Sequence, residues 1–113
     1  MKYGMPTLIE FRTVEEHARF CGENGLDFYE LNLAFPWFQS DKLVVGELKR
    51  IAEKYGIGYT IHLHDEVNPL AFAPEMREGG MRNVSYALDL ARAVGAKRLN
   101  MHLQNGMYSS VGA

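Results

Sequence analysis

Six polar residues stand where a buried strand would be expected to carry apolar ones. Glu30 and Asn32 lie two apart in Phe28-Tyr29-Glu30-Leu31-Asn32-Leu33, His62 and His64 in Tyr59-Thr60-Ile61-His62-Leu63-His64, and Asn100 and His102 in Arg98-Leu99-Asn100-Met101-His102-Leu103. Side chains two apart share one face of a β-strand. Read so, one face of each strand is Leu, Ile or Met, and the other carries carboxylate, amide or imidazole. A parallel strand covered on both faces normally reads as an almost unbroken apolar run. Three departures of the same kind point to one shared polar site. Imidazoles and a carboxylate brought together can hold a divalent metal or move a proton.

The residues divide by role. His64 and His102 come from different strands and could ligate one metal, since a catalytic zinc takes three protein ligands and a water. His62, one strand repeat deeper, reads as a core or supporting group. Asp65 could hold a histidine tautomer or bond substrate. Glu30 is the candidate catalytic carboxylate; an inward carboxylate is costly unless paired, so it serves a site or finds a salt bridge. Asn32 and Asn100 read as hydrogen-bonding supports within reach of substrate. Trp37, with Phe35 and Phe38, either lines a substrate mouth or packs over the rim or a subunit contact. His17, beside Glu15 and Glu16, reads as solvent-exposed. Gly79-Gly80 does not follow a strand, so it is no phosphate loop. No Ser or Cys nucleophile arrangement is recognisable.

Positioning these residues requires a repeating scaffold. Asn24-Gly25-Leu26, Tyr55-Gly56-Ile57 and Val94-Gly95-Ala96 each read as a helix closed by glycine and leading into one of the polar strands. The first strand is expected over 2–9, interrupted by Pro6, because proline removes a ladder hydrogen bond. Thr13-Val14-Glu15-Glu16 has the pattern of a capping box, opening a helix that buries Val14, Ala18 and Cys21. The second strand is expected over 27–33. The next helix is capped at Ser40 or Asp41 and has the stripe Leu43, Val44, Leu48, Ile51 and Ala52. The third strand is expected over 58–64, followed by a long connection from Asp65 to about Pro74 or Gly80, with Pro69, Pro74 and Gly79-Gly80 arguing against regular structure throughout. A helix is clearest from Met81 to Val94, with Val84, Ala87, Leu88, Ala91 and Val94 on one face. The fourth strand is expected over 97–103, and 104–113 shows no periodicity. Strands alternating with helices imply right-handed crossovers and a parallel sheet. Residues 1–113 read as one structural unit.

Composition narrows the function classes. With 113 residues, 47% of them hydrophobic, the chain can bury a sizeable core. A net charge of −2 gives no general drive toward nucleic acid or anionic membranes. No apolar run approaches the roughly 20 residues of a membrane span. The single cysteine, Cys21, excludes an intrachain disulfide and fits a reducing cytoplasm.

The ordered series Phe28-Tyr29-Glu30-Leu31, Ile61-His62-Leu63-His64-Asp65 and Leu99-Asn100-Met101-His102 resembles the xylose isomerase-like TIM barrels. This superfamily contains sugar phosphate isomerases and epimerases and the AP endonuclease family 2 enzymes of the endonuclease IV type. The resemblance runs to about Asn105. It implies an α/β fold of TIM-barrel type with only the first four βα units present, a half-barrel of parallel strands. It implies metal ligation at His64 and His102, with Zn, Mn, Mg or Co as the metal. It further implies a small sugar substrate and proton transfer next to a carbonyl. The family's ligands from strands five to eight have no counterpart here. A TIM barrel needs about 250 residues; a half-barrel exposes two strand edges, and it could either pair with a second copy in a homo-oligomer or be a piece of a longer chain. An AP endonuclease of the endonuclease IV type, or a non-catalytic half-barrel that self-assembles, are the alternatives. The acidic balance disfavours the first of these.

Overall fold

A computed structural model describes residues 1–102. The expected continuation of the fourth strand to Leu103 and the aperiodic segment 104–113 lie outside the described residues. The elements alternate: β1 (Gly4–Met5), α1 (Val14–Glu23), β2 (Phe28–Asn32), a 3₁₀ turn (Pro36–Phe38), α2 (Val45–Tyr55), β3 (Gly58–His62), α3 (Pro74–Val94) and β4 (Leu99–Asn100). The four strands pair in parallel in the order β1-β2-β3-β4. Sequential neighbours without a reversal of direction are what the wall of a barrel requires. A doubly wound sheet would reverse its order at a switch point. Among the described residues, no helix is long and apolar enough to cross a membrane.

Burial follows the pleat. Tyr29, Leu31, Tyr59 and Ile61 are buried together with Ala18 and Cys21 of α1, Leu48 and Ile51 of α2, and Ala87, Leu90 and Ala91 of α3. The Tyr59 hydroxyl donates to Leu48 O at 2.6 Å, tying β3 to α2. Cys21 is a buried thiol, as expected, and burial pushes its pKa up to about 11. That keeps it protonated and unreactive at neutral pH.

Pro6 shortens β1 to two residues, and Thr7 takes over the strand's bonding. Its hydroxyl donates to Glu30 O at 2.9 Å and accepts from the Asn32 N–H at 3.1 Å. The Tyr29 hydroxyl lies 2.7 Å away, in position to donate to it. A side chain thus holds the β2 edge where proline supplies no N–H.

The capping box at Thr13 and Glu16 is present, and such caps contribute about 1 kcal/mol. Gly25, Gly56 and Gly95 all have positive φ, the left-handed conformation that closes a helix without a Cβ clash. Three expectations are corrected. The α2 cap is Val44 rather than Ser40 or Asp41, and Val44 is 65% exposed instead of joining the stripe. Residues 40–42 turn before the helix begins. Helix α3 starts at Pro74, whose missing N–H costs nothing in a first helical turn, so Gly79-Gly80 falls inside the helix. Leu88 is 50% exposed, and Leu90 takes its place on the buried face.

The fourth correction is His17, which is wholly buried rather than solvent-exposed. The spacing Val14, His17, Ala18, Cys21 puts it on the buried face of α1, whatever its acidic neighbours. Its Nε2 accepts from the Leu8 N–H at 2.9 Å, so Nδ1 carries the proton and donates to Thr13 O at 2.8 Å. The ring stacks on Tyr29 at 4.5 Å. Burial lowers its pKa below the ordinary histidine value, outweighing the two backbone bonds. The unfolded chain therefore binds this proton more readily than the folded one. The stabilisation is fully present above about pH 6.5 and is lost as pH falls from there toward the lower folded value. Urea unfolding across pH 4.5–7.5 is expected to show this loss, and His17→Gln to show a smaller pH-dependent decline through the same window. Equal slopes in the two proteins would contradict it.

Candidate metal centre at the strand ends

The register aligns the site. Leu31, Ile61 and Leu99 are partners across β2, β3 and β4, and so are Asn32, His62 and Asn100 one residue later. The first row packs under the helices; the second faces the opposite side. Each residue of the second row is the last of its strand. Glu30 lies two residues deeper on the same face, level with Thr60. The Asn100 side-chain amide makes a short hydrogen bond to a Glu30 carboxylate oxygen. Glu30 thus has a neutral amide donor, and among the described residues no cation is paired with it. Asn32 serves the local backbone: its Oδ1 accepts from the Ala34 N–H at 2.9 Å, closing the turn after β2.

His62 and His102 meet. Their Nε2 atoms are 3.1 Å apart. The His62 Nδ1 lies 2.8 Å from Leu63 O, so it must be the protonated nitrogen, which leaves the Nε2 lone pair toward His102. Asp65 completes the group: one ligand atom from each of His62, Asp65 and His102 lies within 4.8 Å of the others. Two ligands of one tetrahedral zinc, each at about 2.0–2.1 Å, lie about 3.3 Å apart. The observed separation is close to that, and two imidazoles with a carboxylate suit a borderline divalent cation. The residues therefore fit a divalent metal. The Leu63 carbonyl would fix the tautomer that presents His62 Nε2, an outer contact of the kind that orients metal-binding histidines.

The sequence pairs His102 with His64, and the structure places His62 there instead. Strand β3 ends at His62, two residues before the expected end. Past that point strict alternation no longer sets side-chain direction. His64 turns away, its Nε2 lying 2.6 Å from Gln39 Oε1. The signal for His62 is present in its shared face with Asn100; an overlong strand boundary conceals it. Trp37 also goes elsewhere. It lines a cavity of about 360 Å³ between the starts of α1 and α2, under the Arg12 guanidinium at 4.6 Å from its ring centre. None of the strand-end polar residues lines that cavity.

Similarity to known structures lies in the fold. A D-tagatose 3-epimerase-like protein superposes over 97% of this chain and 41% of its own, with a TM-score of 0.77 at 16% identity. A xylose isomerase domain containing protein from Salmonella typhimurium LT2 matches 92% of this chain and 37% of its own, with a TM-score of 0.70 at 22% identity. Among the described residues, four parallel strands alternate with three helices, the fold of the N-terminal half of a TIM barrel. D-Psicose 3-epimerase from Clostridium cellulolyticum H10, solved with D-tagatose, matches 89% of the half-barrel and 37% of its own chain, with a TM-score of 0.68 at 19% identity. The half-barrel thus spans well under two thirds of the length of these proteins. No protein-family model matches the sequence, and no curated protein does.

The bonding pattern fixes two tautomers, which nitrogen-15 chemical shifts of the imidazoles read directly. Near pH 7.5 in the metal-free protein, His62 is expected as the Nδ1–H form and His64 as the Nε2–H form. Gln39→Leu is expected to make the His64 tautomer mixed while leaving His62 unchanged. The opposite tautomer at either ring would contradict the geometry.

Proposed function

We propose that this chain supplies part of the metal centre and one acid–base carboxylate of a sugar or sugar-phosphate isomerase or epimerase. The observation that carries the reading is the 3.1 Å approach of His62 Nε2 and His102 Nε2, with Asp65 beside them, at the strand ends of a fold shared with sugar epimerases. In (βα) barrels the site lies at that end. A bound divalent metal would polarise a substrate oxygen and so acidify the adjacent C–H.

The chain's own residues perform the rest. In the metal-free chain the His102 Nε2–H donates to the His62 Nε2 lone pair; with that proton released both nitrogens would face one point, beside the Asp65 carboxylate. Glu30 reaches the same face from β2 as the carboxylate that takes or returns a proton, and Asn100 holds its orientation through the amide bond. Among the described residues, the four-stranded sheet has open edges at β1 and β4. Further βα units, and further carboxylates with them, complete the site, from additional chain or from a second copy across a twofold axis.

Two measurements test this. In calorimetric titration with Zn²⁺ or Mn²⁺, His62→Ala and His102→Ala are each expected to weaken binding more than about tenfold, or about 1.4 kcal/mol. His64→Ala is expected to leave affinity within about twofold. No saturable binding, or equal loss in all three, would contradict the assignment. In sedimentation, the 113-residue chain is expected as a dimer or larger species at micromolar concentration, because its edges are unpaired. A folded monomer at all concentrations would sink completion by a second copy.

A further inference from the structure

The connection between β1 and α1 hangs on one buried histidine. Residues 8–11 form a tight turn, closed by the Phe11 N–H donating to Leu8 O at 3.3 Å. Among the described residues, one hydrogen bond ties this turn to the rest of the chain: the Leu8 N–H donates to His17 Nε2 at 2.9 Å. The flanking residues are held more firmly. On one side the Thr7 hydroxyl bonds Glu30 O and the Asn32 N–H. On the other, the Arg12 and Thr13 N–H groups both donate to one Glu16 carboxylate oxygen, and the Arg12 guanidinium lies over Trp37. Leu8 and Phe11 pack partly buried against the core, while Ile9 is 68% exposed. The turn is thus a short segment with two fixed ends and a single polar latch.

The latch holds only while the ring is neutral. His17 Nδ1 donates to Thr13 O at 2.8 Å, which leaves Nε2 as the acceptor. A proton on Nε2 would face the Leu8 N–H, donor against donor, and the charged ring would sit among Phe11, Tyr29 and Phe38. Burying an unpaired charge costs more than one hydrogen bond contributes. The surroundings offer little compensation. Tyr29 of β2 is stacked on the ring and Cys21 lies one turn along α1; burial raises the pKa of both, so both stay neutral. Glu16 of α1 favours the charged ring, but its carboxylate already accepts from two backbone N–H groups. On the turn itself Glu10 is exposed, and Arg12 beside it is directed at Trp37.

Water can reach the ring if the turn swings out. What closure loses is one hydrogen bond and the partial burial of Leu8 and Phe11. Leu31 and Ile61 of the sheet stay covered by the helices. Segments with so few attachments open locally at lower cost than the whole fold.

We propose that the turn at residues 8–11 is a pH-operated latch: protonation of His17 releases it into solvent while the sheet and helices stay folded. The closed turn binds this proton less readily than the open one. Closure is therefore complete above about pH 6.5 and is lost as pH falls below it. Each tenfold preference for the closed turn moves the midpoint about one pH unit further down. The turn follows β1 at the end of the sheet where Asn32 and His62 lie, so release loosens the rim on that side. The latch depends on no metal and stands independently of the strand-end site.

Nitrogen-15 and amide-exchange NMR of the full chain between pH 7.5 and 4.5 test it. Protection factors, which remove the intrinsic pH dependence of exchange, are expected to fall at least tenfold at the Leu8 and Phe11 N–H groups. The His17 ring is expected to become imidazolium with the same midpoint, below pH 6.5. The Ile61 N–H, held by Arg98 O, and the Gly58 N–H, held by Asp27 O, should keep their protection. In His17→Gln, whose side-chain oxygen can accept from Leu8 but does not titrate, the turn should stay closed at pH 5. Phe11→Ala, which weakens closure without touching the hydrogen bond, should raise the midpoint toward 6.5 by on the order of half a pH unit, the equivalent of about threefold. A charged His17 with Leu8 still protected, loss of protection at Ile61 together with Leu8, the same release in His17→Gln, or a midpoint unmoved by Phe11→Ala would each overturn the proposal.

Discussion

The alternation of side chains across one parallel sheet is the constraint on which the rest depends. Leu31, Ile61 and Leu99 share a register row and must be covered by α1, α2 and α3 to leave water. Burying that row places Asn32, His62 and Asn100 on the opposite face, at the ends of their strands. A one-residue slip between β2 and β3 would send the apolar row outward and the imidazole into the helices. The burial of the core and the alignment of the polar residues are therefore set by one register.

The same sheet distributes its polar groups unequally. Asn32 closes a turn, Asn100 holds Glu30, and His62 meets His102. Beyond the strand end, His64 faces Gln39 and the α3 cleft. Two adjacent regions thus differ in spacing and in chemistry. One has two imidazole Nε2 atoms, joined by a hydrogen bond, at a separation close to that of two ligands of a single metal. The other is a cleft lined by His64, Glu66, Glu75 and Asn83. Local hydrogen bonds select the tautomers: the His62 Nδ1–H donates to Leu63 O and the His64 Nε2–H to Gln39 Oε1.

Structural bonding on the helix side is equally specific. Thr7 replaces the bonding lost at Pro6, and His17 joins Leu8 N–H to Thr13 O across the β1–α1 connection. A buried neutral histidine in that position makes the loop at the barrel's site end part of the core. It also makes that loop sensitive to protonation, because a second N–H on the ring would face the Leu8 N–H.

The sequence by itself determined the order of elements, the glycine helix ends, the capping box at Thr13 and the polar face shared by Glu30, Asn32, His62, Asn100 and His102. These follow from local periodicity and backbone chemistry, which neighbouring residues largely decide. It also carried the signal for His17, in the spacing Val14, His17, Ala18, Cys21, though charged neighbours masked it. Only the tertiary structure decided that His62 rather than His64 meets His102, that Trp37 leaves the strand ends for the α1–α2 cavity, and that Gly79-Gly80 lies within α3. Each of these depends on where a strand or helix stops and on what a side chain meets from a distant element. His62 and His102 are forty residues apart and His64 and Gln39 twenty-five. No local pattern encodes those meetings; packing of the whole sheet and its helices does.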